Sequence, residues 1–169
     1  MQLVRERAVV VGDPWVHLGD EDALPDGGDV IVPYARWQRE REALSAREGR
    51  LGVRVPSDTR AAELGEHAAS FAVIAIELPK YTDGRGYTIA RLLRDRYGYR
   101  GEVRAVGNVL RDQLQLLERC GFDAFEIDPS KDAGRVLSGF SDFSVKYQPA
   151  ADETQPLWRR HARPWPADR

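Results

Sequence analysis

Five short runs of β-branched and apolar residues recur along the chain, and each is followed by a segment with helical periodicity. The strand-like runs cover residues 29–33, 51–56, 71–79, 101–107 and 122–128. Strands separated by helices pair in parallel through crossover connections. This alternation predicts an α/β fold of parallel βα units. Four to five such units form either a half-barrel related to the (β/α)8 (TIM) fold or a small, open, doubly wound sheet.

The predicted strands have one apolar face and one charged face. Because successive side chains of a strand point to opposite faces, Ile74, Ile76 and Leu78 share one face of the third run. The same parity places one charged residue per strand on the opposite face: Arg54, Glu77, Arg104 and Glu126. A doubly wound sheet would be apolar on both faces, so this pattern favours the half-barrel.

Three interpretations of this charged face remain open. The alternating signs predict ion pairs across neighbouring strands that line a polar cleft, because an unpaired buried charge costs several kcal/mol, on the order of a domain's whole stability. A second copy of the chain could complete the face in a homodimer. Alternatively, the four residues are ordinary surface charges on an exposed sheet. If the cleft is catalytic, the candidates are Glu77, Arg104 and Asp128.

A second candidate site lies where the predicted strands end, since ligands of parallel α/β folds gather at the carboxyl ends of strands. The third run is followed by "YTDGRGY", in which Asp83, Gly84, Arg85 and Gly86 form a turn that opens a helix. Exposed backbone N–H groups, a helix N-terminus and an arginine fork suit a small oxyanion. Asn108 and Arg111 follow the next strand. The alternative interpretation is a tight βα turn capped by Asp83, with Arg85 solvated.

The helix boundaries and the chain ends carry weaker signals. Ser57, Asp58 and Asn108 are N-cap candidates, and Gly98 and Gly121 are expected to end helices. Residues 1–28 are predicted to form an N-terminal hairpin, turned at Gly12–Pro14, and a link. Residues 29–148 are predicted to form a single α/β domain. Residues 149–169, which include Trp158 and Trp165, are predicted to form a flexible tail.

Composition limits the classes of function. A formal net charge of −2 disfavours a nucleic-acid surface. Cys120 is the sole cysteine, which excludes disulfides, CxxC pairs and cysteine-ligated zinc or iron–sulfur clusters within the chain. His17, His67 and His161 have no metal-ligand spacing, so no metal is expected. The short N-terminal apolar stretch predicts neither a signal peptide nor a membrane span, hence a cytoplasmic protein.

Most of the chain resembles a bacterial family called domain of unknown function 934. The resemblance is carried by "VIVPYARWQRERE", "LGVRV", "DGRGYTIARLLRDRYGYRGEVRAVGNVLRDQLQLLERCGFDAFEI" and "FSDFSVKYQ". Members are commonly encoded beside sulfite reductase and are described as oxidoreductases of sulfite reduction. The resemblance therefore implies an accessory or oxidoreductase role in assimilatory sulfite reduction, with sulfite reductase as a partner. It carries over no catalytic residues.

The sequence has no recognisable motif for NAD, flavin, siroheme or an iron–sulfur cluster, so the cofactor is unknown and electrons would have to come from another subunit or from a cofactor bound without a motif. Two alternatives to the accessory role stay open. One is a half-barrel enzyme acting on a small anionic or phosphorylated substrate. The other is a non-catalytic scaffold that associates with itself through the charged face.

Overall fold

The structure is a computed structural model that describes residues 1–160 of the 169-residue chain. Eight strands form one mixed sheet in the order β2-β1-β8-β7-β6-β5-β4-β3. They are β1 (Gln2–Arg5), β2 (Ala8–Val10), β3 (Val16–His17), β4 (Val30–Pro33), β5 (Leu51–Val55), β6 (Val73–Leu78), β7 (Glu102–Gly107) and β8 (Ala124–Ile127). Strands β3 to β8 pair in parallel, and β1 pairs antiparallel with both β8 and β2.

Helices cover one face of this sheet. They are α1 (Tyr34–Arg39), α2 (Arg41–Ala46), α3 (Ala61–Gly65), α4 (Arg85–Asp95), α5 (Leu114–Cys120) and α6 (Ala133–Leu137), while a further helix, α7 (Leu157–Arg160), buries no residue and bonds through Arg160 to the segment 146–153. The buried residues Ile89, Ala90 and Leu93 recur at helical spacing on α4, and they join the main core with Ile74 and Ile76 of β6. The bulky strand face therefore packs against the helices, as the alternation predicts. No helix among residues 1–160 is long and apolar enough to cross a membrane.

The sheet is a curled half-barrel, and two distances explain why. In a flat eight-stranded sheet, the edge strands β2 and β3 would lie about 33 Å apart at a spacing near 4.8 Å. Only residues 11–15, named here the crossing segment, connect them. A chain of that length spans at most about 20 Å. The sheet must therefore curl, and the predicted half-barrel architecture is confirmed.

The crossing segment packs on the face of the sheet opposite the helices. Trp15, which is 8% exposed, forms a small second core there with Ile31, Val73, Ala75 and Val106. The concave side of the half-barrel is therefore filled partly by the chain itself. Its apolar patch is lined by residues of three strands, β4, β6 and β7, and by one tryptophan.

The N-terminal hairpin is present, but its predicted turn is wrong. The hairpin pairs β1 with β2, and its turn is formed by Glu6 and Arg7, which both have positive φ angles of 51° and 60°. Residues 12–14, the predicted turn, belong to the crossing segment, and β3 pairs in parallel with β4. Gly12 and Pro14 resemble a hairpin turn in sequence, whereas the real turn contains no glycine, proline or asparagine.

The predicted helix starts differ from the observed ones, while the glycine stops agree. Asn108 does not cap a helix; its N–H donates to the Leu78 carbonyl, and the Gln113 side chain caps the Leu110 N–H at 3.0 Å. Ser57 bonds to Asp83 and caps no helix. Gly98 and Gly121 follow the ends of α4 and α5.

The first 28 residues contribute β1, β2 and β3 to the same sheet as the α/β units. Near the other end, the Ala151 N–H donates to the Arg119 carbonyl at 3.0 Å, and Trp158 of α7 is 58% exposed. The rest of the predicted tail, with His161 and Trp165, lies outside the described residues.

Candidate functional site

The concave face is organised around Arg104 of β7, whose side chain is fully buried. Its guanidinium donates to Asp13 of the crossing segment at 2.7 Å, to Glu102 of the same strand at 2.7 Å and to Glu126 of β8 at 3.0 Å. Three carboxylates on three different segments therefore surround one arginine. Such a buried charge is tolerated because it is paired and hydrogen-bonded on every side.

Two further side chains complete what is called here the Arg104 cluster. Arg5 of β1 pairs with Glu102 at 2.6 Å, and the His17 Nε2 of β3 lies 2.7 Å from the Glu126 Oε1. Five strand spacings separate β3 from β8 in the sheet order, which would be about 24 Å if the sheet were flat. The curl of the sheet therefore brings His17 and Glu126 together. The cluster consists of Arg5, Asp13, His17, Glu102, Arg104 and Glu126.

Electrostatics keep Arg104 and Glu126, the two most buried members of the cluster, ionised. Burial alone would lower the pKa of Arg104, but the hydrogen bonds that it donates to Asp13, Glu102 and Glu126, together with the charge of Glu102, outweigh burial and the pKa is raised. Burial alone would raise the pKa of Glu126 above 4.5, but the hydrogen bonds and charges of His17 and Arg104 outweigh it and the pKa is lowered. Arg104 and Glu126 are thus both charged at neutral pH.

The four charged residues expected on one face do share it, but they form two separate groups. The register aligns Arg54 with Ala75 and Ala75 with Arg104, so both arginines lie on the concave side. Arg54 pairs with Glu77 at 3.1 Å, with side chains 32% and 42% exposed. Arg104 and Glu126 instead belong to the buried Arg104 cluster. The Arg54–Glu77 pair is a solvent-exposed interaction, whereas Arg104 and Glu126 belong to a buried polar cluster.

The three catalytic candidates do not share a hydrogen-bonding partner among residues 1–160. Glu77 contacts Arg54, and Arg104 is enclosed by its carboxylates. Asp128 lies beyond the end of β8, is exposed, and accepts from the Ser130 N–H at 2.9 Å; this bond lowers the pKa of Asp128. Its geometry is that of a turn-capping aspartate.

The turn after β6 places Arg85 at the carboxyl end of the sheet, as the first residue of α4. Its Nε and Nη2 atoms hold the Asp83 carboxylate at 2.9 and 2.8 Å, and the Ser57 hydroxyl donates to that carboxylate at 2.6 Å. The Arg85 bonds, followed by that of Ser57, lower the pKa of Asp83 well below its usual range. The Arg85 side chain is 61% exposed, and its Nη1 has no hydrogen-bonding partner in the described chain.

The two glycines of this turn have different structural roles. A Cβ atom on Gly86 would lie 2.7 Å from the Leu78 Cδ2, so Gly86 allows α4 to approach β6 closely. A Cβ atom on Gly84 would meet nothing within 4 Å, so space is left beside Arg85. Only Gly84 therefore keeps backbone accessible to a ligand.

Arg111 does not join the Arg85 turn through any contact. Its guanidinium holds Asp142 at 2.9 and 2.6 Å and Ser138 at 3.1 Å, and it ties the loop before α5 to the segment after α6. Asn108 directly follows the end of β7 and is exposed. The predicted strand-end set is therefore divided between two local networks.

Sequence inspection missed Asp13, His17 and Glu102 of the Arg104 cluster, and Ser57 as a ligand of Asp83. Glu102 has the same strand parity as Arg104, and that signal could have found it. Asp13 lies 91 residues from Arg104 in the chain, and no sequence pattern links the two. No group of three or more His, Cys, Asp or Glu side chains within residues 1–160 is arranged so that it could hold a metal ion. Burial raises the pKa of the Cys120 thiol.

These features define a class of protein: an α/β half-barrel whose concave side is filled by a crossing segment and the buried Arg104 cluster. The chain belongs to the family described as "Bacterial protein of unknown function (DUF934)", whose profile matches residues 52–158. The match begins in β5, and it includes Arg104 and Glu126 but not Asp13 or His17. Searches among curated proteins and among solved structures gave no significant match.

Proposed function

We propose that this protein is a cytoplasmic accessory component of assimilatory sulfite reduction that binds a small oxyanion beside Arg85 and docks to the reductase. The family resemblance points to sulfite reduction. The observation that carries the oxyanion site is the exposed Arg85 guanidinium at the carboxyl end of β6, which already holds one carboxylate and has Nη1 without a partner in the described chain.

Asp83 sets the expected strength of this site. Its carboxylate is ionised at neutral pH and occupies the fork of Arg85, so it repels a second anion and competes for the same donors. The proposal is therefore that of a weak site, in which an oxyanion contacts Nη1 and the open backbone at Gly84. Sulfite reduction itself remains the chemistry of the reductase.

Anion binding is tested by titrating the protein with sulfite, sulfate and phosphate in a thermal-shift assay. Replacing Asp83 with asparagine removes the competing charge and is expected to strengthen sulfite binding about tenfold, the equivalent of about 1.4 kcal/mol. Arg85→Gln is expected to abolish it. Arg60→Gln, a change at a side chain that is 83% exposed, is the matched control. Equal stabilisation of all four proteins would contradict the site.

The cellular role needs a separate test. A clean deletion strain is expected to reduce sulfite more slowly, and the defect should be restored by the wild-type protein and by Arg60→Gln but not by Arg85→Gln. A tagged copy should retain the reductase in a pull-down experiment. Normal sulfite reduction in the deletion strain would refute the accessory role, whatever the outcome of the anion titration.

A further inference from the structure

A second polar cavity lies at the opposite end of the sheet from the Arg85 turn. Its volume is about 660 Å³, it is open to solvent, and it is bordered by α1 and α2, the loop before β5 and the 3₁₀ turn Ala68–Ser70 before β6. This size is within the range of small-molecule sites. Its lining includes Trp37, Arg41, Arg47, Arg50, His67 and Phe71. It is called the Arg47 cavity below.

The charges that line the Arg47 cavity are all positive. Arg50 is neutralised by Asp29, which it holds through Nε at 3.0 Å. Arg41 and Arg47 form no ion pair with any carboxylate in residues 1–160, and no aspartate or glutamate lines the cavity. Asp29 also interacts electrostatically with Arg47, so the three arginines around this open cavity are only partly offset and leave an excess of positive charge, a pattern suited to an anionic ligand.

Arg47 supplies the observation that points most directly to a ligand. Its Nη2 donates to the Gly28 carbonyl at 2.6 Å, which fixes the guanidinium. Its Nε and Nη1 atoms are buried and have no hydrogen-bonding partner in the described chain. Buried charged donors are rarely left unpaired, because the desolvation they suffer is then uncompensated. These two donors call for an acceptor.

The loop that carries Arg47 is held rigidly. Gly49 has a φ angle of +103°, and a Cβ atom there would lie 2.2 Å from the Gly28 carbonyl oxygen. The chain from Arg47 to Gly49 is thus packed directly against the backbone of Gly28. A donor on such a loop is preorganised, so little conformational entropy is lost when an acceptor binds.

The rest of the lining indicates what accompanies the anionic group. Arg41 lies over the Trp37 ring at 4.2 Å from its centroid, and the His67 ring lies 5.0 Å from that of Trp37. Leu44, Leu51 and Phe71 add apolar surface, and Ser45 and Ser70 add hydroxyl groups. The excess of positive charge matches a phosphate monoester, which carries about −1.5 to −2 at neutral pH.

We propose that the Arg47 cavity binds an organic phosphate monoester, with the phosphate held by Arg47 and Arg41 and the organic group placed against the apolar lining. This site is independent of the oxyanion site at Arg85, because it lies at the amino ends of β5 and β6 and shares no residue with it. It adds a second ligand class to the protein.

The test uses phenyl phosphate as the probe, with phenol and inorganic phosphate as comparisons. Binding to the full chain is measured by calorimetry and by tryptophan fluorescence, which should respond because Trp37 contacts Arg41 and His67. Phenyl phosphate should bind more tightly than inorganic phosphate, and phenol should not bind. Arg47→Gln should weaken the binding of phenyl phosphate about tenfold or more.

Arg60→Gln is the control and should bind phenyl phosphate as the wild type does, whereas Arg85→Gln should lose only the weak anion site beside Arg85 and keep the tighter binding of phenyl phosphate. Loss of binding in Arg85→Gln with retention in Arg47→Gln would overturn the proposal and place the anion at the other site. Absence of binding at about 10 mM phenyl phosphate, which would mean affinity too weak for a built site, would also overturn it. If circular dichroism shows Arg47→Gln to be unfolded, Arg41→Gln provides the same comparison, because its side chain is exposed.

Discussion

At the scale of single residues, identical side chains on one face of the sheet have different energetic roles. Arg54 and Arg104 occupy equivalent register positions on either side of β6, and both are ion-paired. Arg54 is partly exposed and has one partner, whereas Arg104 is fully buried and has three. Surface pairs contribute little because water and salt screen them, while breaking a buried pair leaves uncompensated charge.

Replacing Arg104 with methionine is therefore expected to lower the free energy of unfolding by about 3 kcal/mol, because Glu102, Glu126 and Asp13 lose their shared cation. The same change at Arg54 should cost less than about 1 kcal/mol. Urea denaturation of both variants measures the difference. Equal losses would contradict the distinction between a surface pair and a buried cluster.

Glu126 makes the stability of the protein dependent on acid pH. Its pKa in the folded protein is below the ordinary value of 4.5, so the unfolded chain binds the proton more readily. The stabilisation is present above about pH 4.5 and is lost as the pH falls through the folded pKa. Glu126→Gln, which keeps the shape but not the charge, should flatten the fall in urea midpoint between about pH 5 and pH 3. An unchanged slope would show that other carboxylates account for it.

At the scale of elements, close approach of backbone segments determines how loops are placed. Gly49 and Gly98 both have positive φ angles, +103° and +62°. A Cβ atom on Gly49 would collide with the backbone of Gly28, whereas one on Gly98 would meet nothing within 4 Å. Comparing alanine substitutions at the two positions therefore separates the free-energy cost of a left-handed backbone from the cost of the collision with Gly28.

Gly98→Ala should therefore lose about 1 kcal/mol of stability, the cost of a left-handed alanine. Gly49→Ala should lose about 2 kcal/mol more, since the loop must move away from Gly28. Thermal unfolding of both variants, followed by circular dichroism, tests the difference. If the two variants unfold at the same temperature, the close packing of the Arg47 loop is not maintained in solution.

Strand parity and β-branched runs predicted the five main parallel strands, the apolar and charged faces, and the half-barrel. These features depend on local periodicity. The turn at Glu6 and Arg7 could not be predicted, because neither residue is typical of a tight hairpin turn. The sequence did not reveal that Asp83 pairs with Arg85 and that Asp142 pairs with Arg111. These contacts, which compete with an external anion, form only in the folded chain. The residue type predicted a guanidinium group able to bind an anion, but not that a carboxylate of the same chain already binds to it.

At the scale of the whole molecule, the N-terminal strands are part of the body of the fold. β1 covers the free edge of β8 with four paired residues, and Val4 is 1% exposed in the main core. Asp13 and His17 supply two of the side chains that bond to Arg104 and Glu126 in the Arg104 cluster. The predicted boundary at residue 29 separates these residues from the partners that they contact.

A chain beginning at residue 29 is accordingly expected not to unfold cooperatively, because it exposes the edge of β8 and leaves Arg104 and Glu126 without Asp13 and His17. Circular dichroism and size-exclusion chromatography of the truncated chain test this expectation. The matched control begins at Gln2 and should behave as the full chain. A truncated chain with a sharp thermal transition would show that residues 29–148 form an autonomous domain.

The position of β1 has a consequence for the order of assembly during synthesis. Strand β1 pairs with β8, the last strand of the sheet in chain order, so this partner does not exist until residue 127 has been made. A two-stranded hairpin is only marginally stable by itself. Strand β1 therefore stays without its partner β8 while residues 6–123 are synthesised. Contacts of such long sequence separation are formed late and slow the completion of folding.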